Sequence, residues 1–338
     1  MASMDVFGAN AFGITSLTGA VNKMDYVPGL LGSLNIFERV PVTTRTIWVD
    51  SQDGGIQLIP TSPIGAPPKE LDPDSRTAVP LKTTRLAEGF TLYAEEVQGM
   101  RAFGSQSEMK TVQAEYLRRM ARVRQDMELT HEFHRLGALQ GKLLDADGTT
   151  VIYDFFDAFG VTEAPAIDFA LSTNTTDVRA KAASVVRAMT RASRGMMLPG
   201  TTVHALAGDA FFDALISHPH VRETYLNHAA AADLRQNLAF ESFTFGGITF
   251  HNYRGTDDQT AVAIPADEAV FFPVGAREIF KEALAPAEFG PYVNTPGMET
   301  YAMNLQDPSG RQAFVRGELY SYPLYLCQRP DVLRRATA

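Results

Sequence analysis

One cysteine, Cys327, stands alone among 338 residues, so the chain can form neither an internal disulfide nor a cysteine-rich metal site. Positive charge is also scarce, with 30 Lys and Arg against 39 Asp and Glu for a net charge of -9. That balance argues against a protein whose task is to grip phosphate backbones, because such affinity comes from clustered cations displacing counterions. No apolar run is long enough to span a bilayer. The opening MASMDVFGANAFGITSLTG has no basic start followed by an apolar run, so it does not read as a secretion signal. These absences predict a soluble protein of the cytoplasm or of a particle assembled there. No G-x-S-x-G elbow, Walker loop or dinucleotide fingerprint occurs either.

What is present is an ordinary globular composition, 45% hydrophobic and 20% charged, on a chain too long for one growing core. Two or more packed units are expected. Residues 1 to about 36, rich in Gly, Ala, Ser and Asn and ending in DYVPGLLGSLNIF, read as an extended arm with short helical turns. The β-branched run Val40 to Val49 reads as a strand, Asp53-Gly54-Gly55 as a tight turn, and IQLI as the returning partner. IQLIPTSPIGAPPKELDPDSRTAVP then carries prolines at 60, 63, 67, 68, 73 and 80, which remove donors from any ladder. LKTTRLAEGFTLYAEEV resumes as strand, so 40 to 95 is one long β excursion with a proline-stiffened tip.

Ser105 with Glu108 forms a capping box, and Met109, Val112, Tyr116, Met120, Val123, Met127 and Thr130 recur in steps of three and four. The spacing predicts a helix over 107–140, roughly 50 Å long at ~1.5 Å per residue, ending at Gly141. Met and Thr make poor coiled-coil knobs, so a spine lying across a sheet is expected. KLLDADGTTVIYDFF reads as a hairpin, 172–198 as the caps STNTTD followed by a helix through VRAKAASVVRAMTRAS to Gly195, TTVHALAG as strand, and DAFFDALISHPHVRETYLNH as helix with a break at His218-Pro219-His220. FESFTFGGITFHNYRG reads as a hairpin turning at Gly246-Gly247, and AVAIPADEAVFFPVGA as strand. Arg311 to Leu326 reads as a closing strand in which Pro323 suits an edge or bulge. Helices and hairpins without a regular βα rhythm give an α+β fold.

Candidate chemistry is thin. His131-Glu132-Phe133-His134 spaces its histidines by three where the zinc-protease motif needs four, so a polar helix face fits better than a metal site. Asp145-Ala146-Asp147-Gly148 reaches its glycine too early for a calcium loop, and Phe156 falls where the last carboxylate belongs, leaving a solvated turn. Ser217 beside His218-Pro219-His220 has the residue types of a nucleophile and base without a surrounding motif. Arg118, Arg119, Arg122 and Arg124 interleave with Glu115, Asp126 and Glu128. They form either a paired solvated face or a face toward nucleic acid or a neighbour's carboxylates. Trp48, the one tryptophan, lies on the projecting excursion with Ile47 on the opposite side. It packs either on a partner surface or on its own hairpin. No catalytic, cofactor or metal residue is nominated, which points to a structural role.

The order of parts, arm, long β loop, spine helix, mixed domain and returning strand, resembles the subunit of tailed-phage capsids with the Hong Kong 97-type fold. GDAFFDALISHPHVRETY (208–225), FESFTFGGITFHNYRG (240–255), IPADEAVFFPVGAREIF (264–280), APAEF with YVNTPGMETYAM (285–303) and YPLYLCQRPDVL (322–333) are similar to the lambda-type capsid protein E family over essentially the full chain. The resemblance implies an N-terminal arm (1–39), an extended β loop (40–97), a peripheral domain with the spine helix (98–160), an axial domain (161–300) and a return to the peripheral domain (301–338). It implies hexamers and pentamers tiling an icosahedral shell around double-stranded DNA, in a virion assembled in the host cytoplasm. Trp48, Ile59, Pro63, Ile64, Pro67, Lys69, Asp72 and Arg76 would be contacts between subunits, and Arg118, Arg119, Arg122 and Arg124 an inner-face or inter-subunit basic cluster. A separate scaffolding protein, a portal and a decoration protein are expected partners, with no cofactor, no membrane and no covalent crosslink through Lys69. The alternatives are an encapsulin-like nanocompartment shell and, from another class, a metal-dependent hydrolase using His131, His134 or His218.

Overall fold

The computed structural model describes residues 17, 18, 29–52, 76–97, 112–226, 242–253, 263–276 and 278–338. In chain order the strands are β1 (Glu38–Pro41), β2 (Thr46–Gln52), β3 (Arg76–Lys82), β4 (Leu86–Tyr93), β5 (Lys142–Leu144), β6 (Val151–Asp154), β7 (Ile167–Asp168) and β8 (Thr202–Ala207). They continue with β9 (Ser242–Phe245), β10 (Ile248–Asn252), β11 (Glu268–Val274), β12 (Phe280–Leu284), β13 (Tyr301–Gln306), β14 (Phe314–Ser321), β15 (Pro323–Cys327) and β16 (Arg334–Thr337). They build a six-stranded sheet in the order β7-β16-β11-β8-β10-β9, two three-stranded sheets, β1-β12-β15 and β13-β14-β4, and the ribbons β2-β3 and β5-β6. Parallel and antiparallel pairs mix within the large sheet, as the expected α+β class requires. The final strand lies inside that sheet, between β7 and β11.

The helix Val112–Gln140 crosses this assembly as the spine. In its first half Tyr116, Met120, Val123 and Met127 are buried against Leu92, Ala302, Val315 and Leu319 of the β13-β14-β4 sheet. Each such side chain contributes about 1.5–3 kcal/mol on leaving water. In the second half the surroundings close in, and even His131, Glu132, His134 and Arg135 are buried. Gly141 ends the helix at φ +82°, and a Cβ there would lie 2.3 Å from the Phe156 ring. Only glycine meets both demands. The Ser105 cap lies outside the described residues.

Several sequence readings need correction. The run Val40 to Val49 is two strands: β1 adds parallel to β12, and the chain bends at 42–45 before β2 pairs with β3. Val42 N donates to Leu284 O and Val42 O accepts from Gly297, so the bend is held by tertiary bonds that β-propensity does not encode. The partner of β2 is Arg76–Lys82, not IQLI, with Trp48 opposite Pro80. Arg311 to Leu326 is likewise split: β14 pairs with β4 and β13, while β15, on the edge of its sheet, pairs with β12 from Pro323 onward. The helix expected after the STNTTD caps does form, as Val178–Ala192, with the Asp177 carboxylate accepting from Ala180 N as its cap. The break expected at His218-Pro219-His220 is present, dividing the segment after Gly208 into the helices Asp209–Ser217 and Pro219–Leu226. His218, held extended by the proline that follows it, is the joint.

Candidate functional site

Surface geometry centres on the β2-β3 ribbon. Ile47, Val49, Val79 and Leu81 turn one face to the main core, while Trp48 on the other face keeps 66% of its surface exposed. The self-packing alternative for Trp48 therefore fails in the isolated chain. At the ribbon's root Glu288 accepts from Arg45 at 3.0 Å and from Arg85 at 3.1 Å. Arg45 lies over the Tyr322 ring and Arg85 over Tyr320. Tyr153 OH clasps the ribbon from the other side, accepting from Lys82 N and donating to Lys82 O. Ile59, Pro63, Ile64, Pro67, Lys69 and Asp72 lie outside the described residues, and Arg76 opens β3.

The arginine cluster of the spine is not one surface. Arg118 and Arg119 both pair with Glu115, at 2.6 and 3.1 Å, and Arg119 also reaches Glu96 and Thr91 O. Hydrogen bonds from Arg118, working against burial, pull the Glu115 carboxyl down to about 2. Arg122 is exposed, whereas Arg124 is buried. The local pairing read from the sequence is what holds Arg118 and Arg119.

Deeper along the same helix, polar side chains from distant parts of the chain converge. The Glu132 carboxylate accepts from Leu31 N at 2.7 Å and Gly32 N at 3.2 Å, capping the arm helix Leu30–Ser33. Arg135 donates to Glu132 and to Tyr325 OH, which donates to Glu282 and lies 3.0 Å from His131 Nδ1. Glu282 accepts from Arg39, whose guanidinium also pairs with Glu299. Burial keeps His131 well below the usual histidine range and His134 down to about 4. Glu128 receives no hydrogen bond at either carboxylate oxygen among the described residues. Burial first, then the Glu299 charge, pushes it up to about 7.

This network decides how the histidine motif is used. Glu132 is engaged by the arm and His131 by Tyr325, so the sites imagined for a metal are structural joints. His218 is buried and its Nε2 donates to Thr173 O at 3.1 Å, which ties the joint between the two helices to the 173 turn. Asp147 accepts from Thr149 N, Thr150 N and Thr150 Oγ1, so Asp145–Gly148 is a self-contained turn. Sequence reading did not find Arg39, Arg45, Arg85, Glu282, Glu288 or Tyr325. Their partners lie up to 260 positions away, and no local spacing marks them.

Residues 13–338 match the profile of a family described as phage major capsid protein E. The chain is 30% identical over 331 residues to the major capsid protein of Pseudomonas phage KPP10, covering 91% of this chain and 92% of that one. It is 26% identical over 362 residues to the major capsid protein of Salmonella phage Felix O1 (isolate Felix O1-VT1), covering 95% of each. In three dimensions it is similar to a crystal structure assigned as the capsid protein of a prophage of E. coli CFT073. The TM-score is 0.59 at 16% identity, over 96% of this chain and 98% of that one, a likeness of fold alone.

Proposed function

The chain belongs to the phage major capsid protein E family, and from that membership we propose that it is the shell-building subunit of a tailed-phage head, with hexamers and pentamers tiling an icosahedral container for double-stranded DNA. The observation that carries the reading is the family match over residues 13–338. Family membership makes the protein structural and a component of the virion capsid. The fold is the α+β capsid fold of the Hong Kong 97 type.

The geometry supplies physical reasons for the role. A ribbon that presents its tryptophan to solvent has an anchor to bury, and aromatic anchors dominate the energetics of protein contacts. The occupant we assign is another copy of this chain, with Trp48 and the residues beyond β2, Ile59, Pro63, Ile64, Pro67, Lys69, Asp72 and Arg76, making the contact. The Arg45–Glu288–Arg85 clamp holds the ribbon's root by exposed pairs worth at most about 1 kcal/mol each. Such a joint lets the ribbon adjust as copies meet. Residues 1–39 serve as the arm, 40–97 as the extended loop, 98–160 and 301–338 as the peripheral domain and 161–300 as the axial domain. The last strand, β16, completes the axial sheet. A scaffolding protein, a portal and a decoration protein complete the assembly, which takes place in the host cytoplasm.

The test is electron microscopy of the purified protein, alone and with its scaffolding partner. Wild type should give closed shells or capsomer rings, and W48S should stay folded by circular dichroism yet fail to form them. A stable monomer under every assembly condition, or unimpaired W48S shells, would count against the reading.

A further inference from the structure

We propose that the exposed face of the helix Val178–Ala192, marked by Arg179, Arg187 and Arg191, is the surface of this subunit that meets the sugar-phosphate backbone of duplex DNA. The inference rests on the shell reading only in taking duplex DNA as the enclosed polyanion. Its starting point is a segregation of charge. Residues 178 to 208 contain Arg179, Lys181, Arg187, Arg191 and Arg194 and no Asp or Glu, in a chain whose net charge is -9. A strongly acidic protein has therefore kept one stretch purely basic.

The helix sorts these residues by face. Val178, Ala182, Val185 and Met189 are its buried stripe. Arg179, Arg187 and Arg191 are exposed, and at ~100° per residue they lie within roughly 120° of arc, over about 18 Å of axis. None of the three forms an ion pair with another described residue. Arg187 donates from Nε to Ala183 O and keeps the other donors of its fork. From the buried side Arg334 reaches Ala188 O and Arg329 reaches Ala192 O, adding positive charge behind the helix, although Arg329 is paired with Asp331.

Stability of the helix itself does not account for the pattern. Arg191 in the last turn suits the negative end of the helix dipole, but Arg179 sits in the first turn, where a cation is disfavoured and no acid lies within the turn itself. The nearest acid on this element, Asp177, is committed to the cap, accepting from Ala180 N. An external anion resolves the conflict. The remaining exposed positions of the helix, Ala180, Ser184 and Thr190, are small or polar. A protein partner would need aromatic or apolar anchors that this face lacks, whereas a phosphate backbone is held by charge and by the bidentate guanidinium fork alone. A contact made of few charges is weak and salt-sensitive, which suits contents that must enter and leave.

The experiment measures binding of the purified, unassembled full-length protein to a random-sequence duplex by fluorescence anisotropy across a salt series, with poly-glutamate as competitor. Wild type should bind with a salt-dependent affinity. R179Q/R187Q/R191Q should bind at least tenfold more weakly at low salt, with the log–log salt slope reduced by about 2–3, near 0.9 per contact removed. The single variant R179Q should lose about a third of that slope. Shells of the triple variant in electron micrographs show that the subunit reading stands whatever the binding result. Unchanged duplex affinity and slope in the variants would overturn the proposal. So would preferential displacement by poly-glutamate, which would assign the face to an acidic protein segment.

Discussion

Glu128 shows what a single residue contributes to the account. It lies on the spine helix with its carboxylate buried, 4.0 Å from Arg135, and is pushed up to about 7 by burial and by Glu299. Because the folded state holds this proton more tightly than the unfolded chain does, its stabilisation is complete below the ordinary glutamate range and is lost as pH rises through about 7. His134 and His251 are both held down to about 4 by burial, so they remove stability as pH falls below the ordinary histidine range and mask the glutamate in wild type. The difference between E128Q and wild type isolates it. E128Q should be more stable at pH 8, by roughly 3 kcal/mol for a shift of this size, and the gain should vanish toward pH 5. Denaturant titrations at both pH values check this, and a gain independent of pH would refute it. Nothing in the local sequence foretells Glu128. It shares the helix with Glu115, whose shift has the opposite sign because two arginines one turn away reach it.

At the scale of elements, the sequence made the spine helix and its end at Gly141 legible, since both follow from local spacing and a local steric demand. The docking of the arm was not legible. The arm helix has only four residues, too few for an apolar period, and its cap is a carboxylate 101 positions away. Gly29 lies so close that a Cβ would come within 2.3 Å of Glu132 Cδ. E132A should therefore cost about 3–5 kcal/mol, because it removes the cap and leaves Arg135 buried with one fewer partner. Hydrogen exchange should show faster exchange at the Leu31 and Gly32 amides, and G29A should share that signature by crowding the carboxylate. Protected amides in both variants would mean that the arm is held by its apolar contacts alone. The two split strands teach the same lesson, since β1 with β2 and β14 with β15 are each continuous in β-propensity and separate only because their partners change.

For the whole molecule, the parts the sequence displayed well are those a chain completes by itself: the turn at Asp145–Gly148, the hairpin at Gly246-Gly247 and the broad α+β class. The candidate interfaces were legible as excess, a tryptophan with no core to enter and a proline-rich arm outside any period. The two arginine-bearing helices differ in how much charge they leave open. The densest arginine run, 118–124, is largely offset by Glu115 and Glu96 or buried, while the sparser one on Val178–Ala192 faces outward. Density along a sequence does not measure exposed charge. On the proposed reading, this subunit is completed by other copies of itself, through the β2-β3 ribbon. A cryo-electron microscopy map of the assembled shell at side-chain resolution tests it most directly. Trp48 should be buried between one copy's ribbon and its neighbour, and a shell in which Trp48 faces solvent with no copy against the ribbon would overturn the inter-subunit role.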